Sequence, residues 1–200
     1  MTIEVTERAR PGRQRSEAAD QAILSATLDV LAVAGYGSLT MASVIGKSGV
    51  SSATLYRRWP TKQQLVAAAL ASLHPEIVPI DSGSLESDLS ELVHSIADSM
   101  SVRREDLADD VGVELRRNPE FRAAVNEKFI VPRLQVLELI LDNACARGEI
   151  GTDLDPRVAM SFVSGPMHHR LYVLGEIVDR EFADSVAIAA LAALRAISPR

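Results

Sequence analysis

The sequence predicts an all-α fold of about nine helices, a three-helix head followed by a larger helical domain. Three observations carry that expectation. Apolar residues recur at three- and four-residue spacing along most of the chain. Hairpin dipeptides such as Asn-Gly are missing, and so are alternating β-branched runs. Capping residues and prolines stand where helices need to begin, and glycines where they need to end.

Taken in order, the first helix starts at about Ser16, with Glu17 and Asp20 in a first turn that favours negative charge. Ala19, Ile23, Ala26, Val30, Leu31 and Ala34 form its apolar face, and Gly35 ends it in a left-handed conformation. A short second helix follows Thr40, whose hydroxyl caps free N–H groups, and Gly49 interrupts it. The third runs from Ser51 or Ser52 to about Arg58, ahead of Pro60. Thr61 and Gln64 make a capping box for a fourth helix reaching about Leu73. Pro75, Pro79 and Asp81-Ser82-Gly83-Ser84 read as a linker. Further helices are expected from Leu85 to about Ser101 and from Arg104 to about Arg117. A long one follows from Asn118-Pro119 to about Arg147, kinked at Pro132. After Gly148 and Gly151, Asp155-Pro156 opens a helix to about Leu174, bent at Gly165-Pro166, and the last spans about Asp179 to Ile197. The expected domains are a flexible basic arm over residues 1–15, a head over 16–75 and a second domain over 76–200.

With 47% hydrophobic and 24% charged side chains, the 200 residues have the balance of an ordinary globular chain. The longest unbroken apolar run, Val186 to Leu194, has nine residues, against the roughly 20 that a bilayer span needs. No apolar block follows Arg8, Arg10, Arg13 and Arg15, so a secretory leader is not expected. The lone Cys145 permits neither an internal disulfide nor a cysteine metal cage, and a cytoplasmic setting without a membrane partner is expected. The net charge of −6 is unevenly divided. Residues 1–74 hold eight basic and five acidic side chains, whereas residues 75–200 hold 13 and 22. A basic module joined to an acidic domain suits a polyanion, although an uneven solvated surface gives the same tally.

The most informative stretch is Leu39 to Lys62, LTMASVIGKSGVSSATLYRRWPTK. It reads as a short helix, a three-residue turn with glycine and a second short helix, with Ala42, Ile45, Val50 and Leu55 packed inward. The second helix then presents Ser51, Ser52, Thr54, Tyr56, Arg57 and Arg58 outward. Hydroxyls, a phenol and two guanidiniums suit phosphates and base edges in a major groove about 12 Å wide. A bare polar-faced corner of two helices is the competing reading.

Gly35-Tyr36, Thr40, Ser48-Gly49-Val50-Ser51, Thr54-Leu55-Tyr56 and Trp59-Pro60-Thr61-Lys62 together resemble the N-terminal signature of the TetR family of bacterial transcriptional regulators. Gly46 stands where the family usually has alanine, Trp59 where it commonly has phenylalanine, and Arg57-Arg58 where aromatic or histidine residues are frequent. The resemblance implies that Thr40, Ser51, Tyr56 and Lys62 hold DNA phosphates, while Ser52, Ala53, Thr54 and Arg57 face base edges. Arg58 takes a phosphate or a base, and Tyr36, Leu39, Leu55 and Trp59 belong to the core. Arg8, Arg10, Arg13 and Arg15 form either a DNA-binding arm or a plain tail.

The resemblance also implies a ligand-responsive repressor, not an enzyme, that binds a near-palindromic double-stranded DNA operator as a homodimer and is released by a small-molecule effector. Small and apolar residues of the last two helices, Gly165, Phe182, Ala183, Val186, Ala187, Ala190, Leu191, Ala193 and Leu194, are the expected dimer interface. Met100, Phe121, Phe129, Phe162, Met167, His168 and Tyr172 are candidate liners of an effector pocket, with plain core as the alternative for each. No cofactor and no metal are expected. His168 and His169 are adjacent and do not share a helix face. Glu91-Leu92-Val93-His94 has no second E-x-x-H to complete a di-iron site. A G-x-S-x-G motif and a nucleotide-binding loop are also missing.

Overall fold

Local capping explains most of the helix starts. The computed structural model describes residues 11–73, 81–101 and 105–198, which are helix, turn, bend or irregular connection, with no strand among them. Helix α1 (Pro11–Ser38) begins five residues before the expected Ser16, because proline suits a first turn whose N–H groups have no partner anyway. Gly35 sits inside it at φ 71° and ψ 169°, a conformation open to glycine, and the helix resumes for one more turn. Arg8 and Arg10 of the expected arm lie outside the described residues, and so do Pro75 and Pro79 of the linker. Helices α2 (Met41–Ser48) and α4 (Lys62–Ala71) follow the predicted Thr40 and Thr61 caps, and α3 (Ser52–Arg58) begins at one of the two expected residues. Then come α5 (Leu85–Ser101), α6 (Glu105–Arg117), α7 (Pro119–Val125), α8 (Val131–Ala146), α9 (Pro156–His168) and α10 (Arg180–Ile197).

Helices α7 and α8 run on through a π-helical turn, Asn126–Ile130, so the described residues form nine helical rods. The wide turn lies where Pro132 withholds its N–H and its ring crowds the ladder one turn back. A second π-helical turn, His169–Val173, extends α9.

Packing divides the chain into two compact units. The first takes residues 11–72 and, less expectedly, 105–124. Its α1 packs against α2, α4 and α6. Ile23, Leu28 and Leu31 of α1, Val44, Leu55, Leu65 and Phe121 are buried there. Thr27 is buried among them without penalty, since its hydroxyl donates to the Ile23 carbonyl at 2.8 Å. The Ser16–Ser38 stretch of α1 is the one described segment long and apolar enough to cross a bilayer, yet its apolar stripe is this packed inner face.

The second unit holds residues 81–101 and 125–198, with α5 packed against α8, α9 and α10. Leu89, Leu92, Leu137, Ile140, Val163, Met167, Val186 and Leu194 share one core. The start of α5 is tied down by charge. The Glu149 carboxylate accepts the Leu85 N–H at 3.0 Å, and Arg147 reaches Glu149, Asp81 and the buried Asp88 at 2.7, 3.2 and 3.3 Å. Burial pushes the Glu149 carboxyl up, but the Arg147 guanidinium and the Leu85 N–H outweigh it and hold it below the usual range.

Two glycines of the second helix region separate backbone effects cleanly. Gly49 caps α2 at φ 68°, whereas Gly46 is helical, and a β-carbon at either meets nothing within 4 Å. Gly46→Ala should therefore raise stability by about 0.5–1 kcal/mol, and Gly49→Ala should lower it by about 1 kcal/mol. Urea unfolding midpoints of the two variants check the opposite signs.

Candidate nucleic-acid interface

The helix-turn-helix is assembled by short polar bonds. Thr40 Oγ1 accepts the Ser43 N–H at 3.1 Å and Ser43 Oγ accepts the Thr40 N–H at 3.2 Å, a reciprocal capping box. The Gly49 N–H closes α2 on the Ile45 carbonyl at 3.1 Å. Ser51 then caps α3, its hydroxyl accepting the Thr54 N–H at 3.4 Å and lying 3.0 Å from Thr54 Oγ1. Leu55 is the residue of α3 that is fully buried. Of the residues expected inside, Ala42 is exposed and Val44 is buried in its place. Ala34 of α1 is likewise exposed. The helical turn places Val44, not Ala42, over α1.

With Leu55 inward, Ser51, Ser52, Ala53, Tyr56 and Arg57 are exposed and Thr54 is half-buried. Tyr56 shows 48% of its surface. The Arg57 guanidinium has no hydrogen bond or ion pair with the described residues, so it is free to meet a ligand. Arg58 differs completely. Its side chain is only 16% exposed, Nε pairs with Asp20 Oδ1 at 2.5 Å, and Nη2 donates to Ser16 O and Oγ at 3.1 and 2.7 Å. Sequence reasoning placed Asp20 in the first turn of α1 for the helix dipole and missed this role. The usable signal was the spacing of Ser16 and Asp20, one turn apart on one face of α1.

Lys62 heads α4 beside α1. Its ammonium donates to the Gly37 carbonyl at 3.3 Å and lies 4.3 Å from the centroid of the Tyr36 ring. Burial lowers its pKa, with Glu114 opposing that shift. Tyr36 itself is buried, and burial, then Glu114 and Glu120, push its phenol up to about 12. Leu39 and Leu55 join it in the core as expected, while Trp59 is half-buried.

The candidate pocket liners differ in placement. Phe121 belongs to the first unit, its ring 4.7 Å from that of Tyr36. Met167 is solid core, and Phe162, His168 and Tyr172 are exposed, the last two rings stacked at 5.7 Å. Met100 is partly buried on the second core, and Phe129 is half-buried in the first π-helical turn. Most residues of the expected interface face inward within their own chain. Ala183, Val186, Ala187, Ala190 and Leu194 face their own core, and Phe182 and Leu191 pack against it. Gly165 and Ala193 are half-buried. The large apolar side chains that α9 and α10 leave outside are Val158, Phe162, Ile188 and Ile197. His94 of the E-x-x-H element bonds Asp184 through Nε2 at 2.8 Å, and no three metal-ligating side chains converge among the described residues.

A capped helix-turn-helix with a free guanidinium and exposed hydroxyls, joined to a separate helical unit, defines a DNA-binding transcriptional regulator rather than an enzyme. Residues 23–69 match the family model of bacterial regulatory proteins, tetR family, and residues 79–190 match the tetracyclin repressor-like C-terminal domain. The chain belongs to the TetR family. It is 24% identical over 191 residues to the uncharacterized HTH-type transcriptional regulator YdeS of Bacillus subtilis, covering 95% of this chain and 96% of that protein. It is 29% identical over 169 residues to the DNA-binding transcriptional repressor TetR of Mycobacteroides abscessus, covering 82% and 88%. Among solved structures, FadR of Bacillus subtilis in complex with stearoyl-CoA shares the fold with a TM-score of 0.64 at 20% identity, over 86% of this chain and 97% of that one.

The two neighbouring arginines should separate in a stability measurement. Arg58→Ala removes charge-assisted bonds to α1 and should cost about 1–3 kcal/mol, while Arg57→Ala should stay within about 0.5 kcal/mol of the parent. Thermal unfolding of both variants checks this.

Proposed function

We propose that the chain is a repressor that binds a near-palindromic operator as a homodimer in the cytoplasm and is released by a small-molecule effector. The exposed row Ser51, Ser52, Ala53, Tyr56 and Arg57, on a helix anchored by Leu55, carries this reading. Ser52, Ala53, Thr54 and Arg57 read base edges, with Arg57 placed for a bidentate guanine contact. Thr40, Ser51, Tyr56 and Lys62 hold phosphates. Arg58 braces α3 against α1 instead of reading DNA, because its partners are already inside the chain. The DNA-reading domain covers the head and takes α6 with it, and the remainder forms the effector and dimerisation domain. The dimer surface is the outer face of α9 and α10, through Val158, Phe162 and Ile188.

Selection of DNA from a random pool, followed by gel shift, tests the regulator reading. Failure to recover any site bound in a salt-sensitive, sequence-specific way sinks it. With the selected operator, Arg57→Ala should erase about 1–3 kcal/mol of discrimination at one base pair per half-site. Lys62→Ala should weaken all sequences alike and reduce the salt slope by about one. Uniform loss in both variants contradicts the division into reader and anchor.

Ile188 is 71% exposed, so the unit tolerates a polar residue there. Ile188→Asp should give a folded monomer, where the parent chain is a dimer that survives dilution. Light scattering with circular dichroism measures this, and a variant that stays dimeric removes α10 from the interface.

A further inference from the structure

Among the described residues Arg58, Arg133 and Arg170 are half-buried, Arg147 is exposed, and all but one of these four meet a carboxylate. Arg58 has Asp20, Arg147 has Asp81, Asp88 and Glu149, and Arg170 has Glu176. Arg133, near the start of α8, is the exception. Its Nη1 donates to the Phe129 carbonyl at 2.9 Å and its Nη2 to the Ser99 hydroxyl at 3.2 Å. Both acceptors are neutral, and Ser99 is buried with its own proton directed to the Ile96 carbonyl at 2.6 Å. Among the described residues no carboxylate stands within ion-pair distance. These two bonds place two of the five N–H groups of the guanidinium. Burial pulls its pKa below the usual value.

A half-buried cation facing only neutral groups is costly unless something supplies the opposite charge. The surroundings limit what that is. The Phe129 ring lies 5.6 Å from the guanidinium carbon. Phe129 belongs to the π-helical turn Asn126–Ile130, a widening of the helix of the kind found at ligand sites. A planar guanidinium fork fits a carboxylate, while an aromatic ring fits an apolar body.

We propose that Arg133, with Ser99 and Phe129, receives the carboxylate of an apolar organic acid, and that this acid is the effector. The effector role rests on the ligand-responsive reading above; the anion site itself does not. The test is thermal unfolding of the full chain with octanoate or benzoate, each compared with its uncharged counterpart, octanol or benzyl alcohol. At saturation at least one acid should raise the midpoint by on the order of 3–6 °C more than its alcohol. Arg133→Met should abolish that difference and, without ligand, unfold no earlier than the parent, because an apolar side chain of similar length replaces an unpaired charge. Three results overturn the proposal. Neither acid exceeds its alcohol, or Arg133→Met keeps the acid response, or the unliganded variant unfolds several degrees early, which makes the guanidinium a structural bond. Gel shift without acid keeps the two readings apart. DNA binding with no acid response removes only the anion site, and an acid response in a chain that binds no operator removes only the regulator reading.

Discussion

A seven-residue helix does not hold itself in water, so the outward face of α3 depends on the burial of one side chain, Leu55. Ser51 supplies the cap and Gly49 the left-handed residue that turns the chain, but these local devices only make the helix permissible. Direction comes from Leu55 dropping into the core with Val44 and the inner face of α1. Once Leu55 points inward, the 100° advance per residue sends Tyr56 and Arg57 out, and Arg58 comes round far enough to reach Asp20. The surface offered to a duplex is therefore a consequence of packing beneath it.

The same distinction explains what could be read from the chain before its fold was known. Helix starts were legible because each rests on a residue and its own near neighbours. Thr40, Thr61 and Asp155 cap the helices they were expected to cap, and Ser51 and Asp179, expected as approximate helix starts, cap theirs. Pro11 carried an equally local signal for the true start of α1. Assignment of faces was far less legible. In α10 the run Val186 to Leu194 is apolar all round, so periodicity does not say which side the core takes, and the inward stripe proved to hold most of the expected interface. Ala42 and Val44 were confused for the same reason, in a helix only two turns long. Phe121 was illegible in a different way. It follows the expected domain boundary by some 45 residues, yet α6 and the first turns after it pack in the first unit, and only tertiary contacts place its ring on Tyr36.

Four cations then differ in role by what the fold supplies to each. Arg58 has a carboxylate and a carbonyl within its own unit, which makes it part of the scaffold. Lys62 has a carbonyl and an aromatic face, partners that steer an ammonium without neutralising it. An approaching phosphate can therefore add to these contacts without first displacing a carboxylate. Arg57 has no hydrogen bond or ion pair with the described residues and is exposed, which leaves it open to the base contact proposed above. Arg133 is the least comfortable of the four, desolvated like Arg58 but given only neutral partners. Residue type and position in sequence are nearly the same for Arg57 and Arg58, so composition cannot assign these roles. The deciding quantity is the difference between the charge a side chain brings into the fold and the charge it meets there. Where that difference is closed the residue holds the protein together, and where it stays open the residue is available to something from outside.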